Sequence, residues 1–233
     1  MSSVLAWQRA FILHSYHYRE TSLLIDFFTE SKGRVKVLAK GVRRKQSSQK
    51  GILQPFTPLI IQYSGSGQIK TLRCVEAISL TLPLNHFSLY SAFYINELVH
   101  RVITAETDTT ALFGEYLHCI QTLACQTKPA EYALRCFELA LLENLGYKID
   151  FTKCNATGEV IRMKKNYLYV PESGFYKSLV QDDTSFSGYQ LHAFAKKTFP
   201  DKTTLHAAKR FTRLALKPYV GLKPFKSREL FIK

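Results

Sequence analysis

Acidic residues are scarce in this chain, with 18 Asp and Glu set against 32 Lys and Arg for a formal charge of +14 over 233 residues. A chain so short of acid attracts polyanions such as nucleic acid, an anionic membrane or an acidic protein tail. No run approaches the roughly eighteen apolar residues that cross a bilayer. The start, MSSVLAWQRAF, lacks the basic-then-apolar order of a secretory signal, so the expectation is a cytoplasmic protein with no membrane partner. The five cysteines, at 74, 119, 125, 136 and 154, include no Cys-x-x-Cys pair, which favours buried reduced thiols over a zinc or redox site.

Catalytic motifs are missing too. There is no Gly-x-x-x-x-Gly-Lys-Ser/Thr loop, no Gly-x-Ser-x-Gly and no His-Glu-x-x-His. The first 80 residues offer only Glu20, Asp26, Glu30 and Glu76 as acids, too scattered for a metal-nuclease cluster. The seven histidines are dispersed. No enzyme activity, cofactor or metal is expected.

The positive charge that is present is segregated. Residues 1–80 carry +8, residues 81–150 carry −4 and residues 151–233 carry +10, so two basic lobes flank an acidic middle. The densest stretch is KGVRRKQSSQKG, residues 40–51, with five cations and no acid.

Hydrophobic period divides the chain along similar lines. Strands are expected at Trp7–His14, Ser22–Thr29, Gly33–Leu38, Leu59–Tyr63 and Gln68–Arg73, with turns at residues 30–33 and 64–67. Five short strands are best closed into a small barrel. Arg34, Lys36 and Lys40 share one parity, opposite Val35 and Val37, which gives the third strand a cationic outer face. From about Pro83 the period becomes helical: Phe87, Tyr90, Tyr94, Leu98 and Val102 form one stripe, Leu112, Tyr116, Ile120 and Leu123 a second, Leu134, Phe137, Leu141 and Leu145 a third. Pro129 and Gly146 punctuate the ends of the third helix. Residues 151–186 have no sustained period beyond a candidate hairpin of Tyr167–Val170 and Phe175–Val180. Helices are expected again at Tyr189–Phe199 and Thr204–Leu216, the latter ended by Pro218.

The fold class is therefore α+β: a five-stranded barrel (1–80), a helical domain (81–150), an irregular segment (151–186) and basic C-terminal helices (187–233) that pack with the helical domain. The cationic strand and following loop, through Arg34, Lys36, Lys40, Arg43, Arg44, Lys45 and Lys50, point to phosphodiester binding, with Tyr16, Tyr18, Phe28 and Tyr63 as candidate platforms for unpaired bases. A merely solvated loop and core aromatics are the plainer alternative. The C-terminal lobe adds Lys196, Lys197, Lys209, Arg210, Arg213 and Lys217. Lys209, Arg213 and Lys217 stack at i, i+4 and i+8, where they repel unless an anion lies alongside. Arg135 and Leu139, four apart on a helix, present a cation beside an apolar residue, a pairing that suits a short acidic-hydrophobic peptide and also occurs on many ordinary helices.

The wording of seven segments in order resembles the RecO family of bacterial recombination mediators, in its gammaproteobacterial form: residues 7–11 (WQRAF), 20–23 (ETSL), 37–44 (VLAKGVRR), 53–56 (LQPF), 94–98 (YINEL), 135–139 (RCFEL) and 222–228 (LKPFKSR). The resemblance implies an OB-fold domain that binds single- and double-stranded DNA, and annealing of complementary strands coated by single-strand DNA-binding protein (SSB). It also implies partnership with RecR, and in some members RecF, in loading the RecA recombinase. It places the SSB tail on the helical domain at Arg135 and Leu139. Many relatives carry a four-cysteine zinc module after the helical domain. Here only Cys154 remains there, with Thr157 at a second ligand position, so no metal is expected. The runner-up is an OB-fold RNA-binding translation or ribosome-assembly factor.

Overall fold

A computed structural model describes residues 6–146, 149–179 and 182–231. Five strands, β1 (Gln8–Tyr18), β2 (Ser22–Thr29), β3 (Gly33–Ala39), β4 (Leu59–Ser64) and β5 (Ile69–Ala77), close into a barrel of order β1-β2-β3-β5-β4. All neighbours are antiparallel except β3 and β5, where Lys36 pairs with Ile69 and Leu38 with Thr71. The interior is filled by alternate residues: Ile25 and Phe27 of β2, Val35, Val37 and Ala39 of β3, Leu59 and Ile61 of β4. The opposite parity of β3, Arg34 and Lys36, stays partly exposed as its period-2 spacing requires.

The outer face of β1 and β2 is covered by helices α1 (His86–Val102) and α2 (Thr110–Cys125). Phe11 and Phe28 turn outward onto Phe113 and Tyr116, with ring centroids 5.0 to 5.5 Å apart. Asn96 of α1 donates from Nδ2 to the carbonyls of Ile12 and Leu13 and accepts at 2.6 Å from the buried Tyr116 hydroxyl. The turn between β2 and β3 is clamped as well. The Thr109 hydroxyl donates to Thr29 O at 2.8 Å, and Arg34 N donates to Thr104 O at 3.1 Å. Gly33 sits at the closest approach, with φ +62 and a would-be Cβ 2.4 Å from Thr104 O, so a side chain there has neither room nor an easy backbone conformation.

The chain divides into two compact units, residues 1–126 with 223–233, and residues 127–222. The division falls between α2 and the third helix, α3 (Ala130–Asn144), because α1 and α2 bury their apolar stripes against the barrel. It does not coincide with the changes of sequence character at 80, 150 and 186. In the second unit α3 packs on α5 (Lys202–Val220), and a sheet in which β6 (Asn166–Val170) lies between β7 (Gly174–Ser178) and β8 (Ser185–Ser187) carries α4 (Gly188–Ala195). The hairpin expected near residue 170 is β6 (Asn166–Val170) with β7 (Gly174–Ser178), while Val180 lies outside the described residues. β8 (Ser185–Ser187) is an addition, three residues being too short for period 2 to register. Phe211 of α5 is fully buried among Phe151, Tyr169, Phe175, Phe186 and Phe194.

Several local expectations differ from the structure; β5 runs four residues past Arg73, to Ala77, and α4 ends at Ala195, four residues before Phe199. β1 runs four residues past His14, because β2 continues to pair with it as far as Tyr18. Pro218 does not end α5, which continues to Val220: the proline lies in the last turn, where a lost N–H costs one hydrogen bond and the helix ends two residues later anyway. Phe87 heads the predicted stripe of α1 yet is 70% exposed, since it stands in the first turn, outside the layer that faces the barrel.

Candidate nucleic-acid interface

The outer face of β3 leads from one open cleft to another. The first, of about 550 Å³, lies beside the turn between β4 and β5 and is lined by the cations Arg34, Lys36 and Lys70 and by the acids Asp26 and Glu106. The second, of about 540 Å³, lies beside the turn between β1 and β2 and is lined by Tyr18, the cations Arg19, Lys40 and Arg44, and one acid, Glu20. Arg34 to Lys40 spans about 20 Å at the rise of an extended strand. In OB-fold barrels this face, bounded by these two turns, is the usual seat of oligonucleotides.

Local geometry explains how the basic segment is displayed. Gly41, at φ +73, turns the chain out of β3, and Val42 buries itself in the barrel core. Arg43 then donates from Nη1 to the carbonyls of Arg19 and Glu20, at 3.3 and 3.1 Å, while its backbone N–H donates to Thr21 O. Arg43 is thus an anchor that joins the segment to the β1–β2 turn. Lys40, Arg44, Lys45 and Lys50 remain exposed. Arg34 is engaged differently, with Nη1 3.1 Å from Nε2 of His100, and Lys36 Nζ lies 3.9 Å from the buried carboxylate of Asp26.

Among the candidate stacking residues, Tyr16 and Tyr18 are 42% and 37% exposed. Phe28 is wholly buried under α2, which corrects that expectation, while Tyr63 is partly buried against the barrel core. Residues that sequence reasoning passed over are Arg19, whose guanidinium lies 5.4 Å from the Tyr18 ring centre, and Lys70. Their signal was present in the strand and turn assignments but needed the barrel's closure to bring them beside β3.

In the second unit the expected basic set separates into exposed and paired members. Lys196, Arg213 and Lys217 are exposed. Lys197 is paired with Glu143 at 2.8 Å, and Arg210 donates to Ser185 O while lying over the Phe186 ring. Lys209 already has an anion beside it: Glu131 of α3, at 2.6 Å. The hydrogen bond from Lys209 holds the Glu131 carboxyl below its usual range. The stack of three like charges is therefore relieved at one end from within the protein.

Arg135 and Leu139 both face inward on α3, 4% and 2% exposed, instead of lining an open groove. Arg135 Nη2 donates to Glu138 at 2.7 Å, and Glu138 accepts in turn from the Thr212 hydroxyl. Nε and Nη1 of Arg135 are buried without an acceptor among the described residues. Cys154 is buried, and burial pushes its thiol up. The Thr157 hydroxyl and the backbone N–H groups of Lys177, Ala156 and Thr157 outweigh that and hold it below the usual thiol range. One thiolate with a threonine at the neighbouring position does not suit tetrahedral zinc.

Comparison with known proteins fits this arrangement. The family model for the Recombination protein O N terminal matches residues 1–81, and that for the Recombination protein O C terminal matches residues 85–229. The chain belongs to the RecO family. It is 58% identical over 225 residues to the DNA repair protein RecO of Pectobacterium atrosepticum, covering 97% of this chain and 92% of that one. Identity to the DNA repair proteins RecO of an Enterobacter species and of Yersinia pestis is 56% over the same length, covering 96% and 93% of those chains. The N-terminal match ends where β5 gives way to the linker before α1, and the C-terminal match takes in both helices that lie on the barrel.

Proposed function

We propose that this protein acts in DNA repair as a recombination mediator: it binds single- and double-stranded DNA, anneals complementary strands coated by SSB and, with RecR, promotes RecA loading. The observation that carries the reading is the pair of cation-lined clefts at the two ends of β3, joined by a strand whose exposed parity is basic. Annealing requires no bond to be made or broken in the strands. Cations neutralise phosphates and release their counterions, and two basic regions on one chain raise the local concentration of two strands that would otherwise repel. The exposed Tyr16 and Tyr18 offer faces to unpaired bases.

The SSB tail docks, in this reading, at Arg135 and Leu139, which must become accessible from their buried positions on α3. A planar guanidinium suits a carboxylate, and its two donors without acceptors among the described residues are support for an external anion reaching it. Incubating labelled complementary strands with and without SSB tests the binding and annealing parts of the proposal. Duplex formation on SSB-coated strands with no change in strand length is the expected result. Shortened strands, or no duplex at low salt, would overturn it.

A further inference from the structure

A bulge in β1 decides which way two tyrosines point. Ile12 is buried in the barrel core, so strict alternation would carry His14, Tyr16 and Tyr18 into the interior as well. The pairing of β1 with β2 instead shifts between Ile12 and His14, and every residue from His14 to Tyr18 is exposed. An extra residue in one strand re-aims the side chains that follow it. The even positions of β1 therefore turn outward after the bulge.

The register of the next two strands sets what lies beside them. Tyr16 stands opposite Leu24 of β2, and Leu24 opposite Leu38 of β3. Residues directly opposite one another share a face of the sheet. Ile25, Val37 and Ala39 take the other face, toward the core. Tyr16, Leu24 and Leu38 thus form an apolar row across three strands on the outside of the barrel, about 10 Å long at the usual strand spacing. Tyr16 is 42% exposed and both leucines are half-buried. His14 backs the Tyr16 ring, with centres 4.1 Å apart. On one side of this row lie His14, Asp26 and Lys36, where the cover of α1 begins with His100 at 3.2 Å from Asp26. On the other side Tyr18 and Ser22 lead to the cleft that Leu38, Lys40 and Arg44 also line, with Glu20 as its one acid. The apolar row is left open beside α1, with cations to either side of it.

Such a surface distinguishes the two forms of DNA. Cations meet the phosphates of both. In a duplex the base faces are stacked on one another, so a ring or an aliphatic side chain finds a base face only where the base is unpaired. We propose that the row of Tyr16, Leu24 and Leu38 sets the preference for single strands: unpaired bases lie against it while Lys36, Lys40 and Arg44 hold the backbone to either side. This inference rests on the DNA-binding reading above and deepens it, adding two leucines whose role is to meet bases. Pairing of two strands withdraws the base faces from the row, which leaves the annealed product held by charge alone.

The test compares a labelled single strand, an abasic sugar-phosphate strand of the same length and a blunt duplex of that length. The proteins are the full chain, Tyr16→Ala, Tyr16→Phe and Leu38→Thr. The unaltered protein should bind the abasic strand at least about tenfold more weakly than the natural one, a comparison that needs no variant to fold. Tyr16→Ala should bind the natural strand about tenfold more weakly, the worth of one base–aromatic contact, and the duplex as before. Its log–log salt slope on the single strand should be unchanged, because no phosphate contact is lost. Tyr16→Phe keeps the ring and should keep the preference. Leu38→Thr, which still suits a strand, should lower single-strand binding about fourfold, the worth of one buried methylene, and spare the duplex. Equal binding of natural and abasic strands would overturn the proposal. So would an equal loss on single strand and duplex in Tyr16→Ala, or a shallower slope, either of which would make the tyrosine a support for the cations. An unmoved preference in Leu38→Thr would remove the row and leave a lone tyrosine. Failure of the DNA-binding reading has a different signature, the absence of binding to every form in low salt, and this inference would fall with it.

Discussion

Single side chains in this protein change meaning when their partners are known. Lys209 and Arg135 both stand in helical patterns that suggest a waiting anion, and in both cases the first anion is internal, Glu131 for one and Glu138 for the other. Spacing alone could not pair the first, because Glu131 is 78 residues away from Lys209. The second was within reach of i,i+3 reasoning on α3. Arg135 nonetheless keeps two donors without acceptors among the described residues, so it can be tested for both roles. Arg135→Ala would strand Glu138 and cost about 3–5 kcal/mol, as expected when one partner of a buried pair is removed. Arg135→Lys keeps the charge beside Glu138 and loses the planar fork. We expect Arg135→Lys to reduce capture of an SSB tail peptide by about tenfold while bare-strand annealing is unchanged. Loss of annealing in parallel would mark Arg135 as structural only. Peptide titration and the annealing assay on the same preparation decide the point.

At the scale of elements, the barrel was legible because β3 alternates, β1 and β2 carry short apolar runs, and Gly- and Ser-containing turns follow β2 and β4; the strands begin within one residue of the expected positions. The helices were legible from their 3.6 period. What covers the barrel was not, since burial of Asp26 and Phe28 is decided by α1 and α2 from more than 70 residues away. That cover depends on the Gly33 turn. Gly33→Ala must shift the backbone at Thr104 and hold alanine at positive φ, so it should destabilise the first unit by about 1–3 kcal/mol in thermal or denaturant unfolding. The C-terminal segment is held on α1 by a comparable clasp. Glu97 accepts from Lys226 N, Ser227 N and the Ser227 hydroxyl at 2.8 to 3.0 Å, and Arg101 donates to the carbonyls of Lys223 and Pro224. Burial pushes the Glu97 carboxyl up, and these hydrogen bonds outweigh it and hold it below the usual glutamate range. A depressed folded value means the clasp is fully present above the ordinary carboxylate range and is lost as pH falls through the folded value. Glu97→Gln should therefore lower the melting temperature near neutral pH by about 2–4 °C, for one charge-assisted bond worth about 1 kcal/mol, and the gap should close in acid.

For the whole molecule, the two basic regions belong to two compact units, and each carries its own exposed cations: Lys40, Arg44, Lys45 and Lys50 in the first, Lys196, Arg213 and Lys217 in the second. Net charge located these regions in the sequence. It could not separate the displayed cations from those committed internally, because an anchor such as Arg43 and a displayed Arg44 are chemically alike until their carbonyl partners are in place. If the displayed cations of the barrel grip phosphodiester backbones, salt dependence will show it: single-stranded DNA binding is followed for the unaltered protein and for a Lys40→Ala, Arg44→Ala, Lys45→Ala triple variant, which leaves the Arg43 anchor intact. The variant should bind every sequence more weakly, with a log–log slope shallower by about 2, at roughly 0.7 for each phosphate no longer neutralised. An unchanged slope in a folded triple variant would show that these side chains do not contact phosphate.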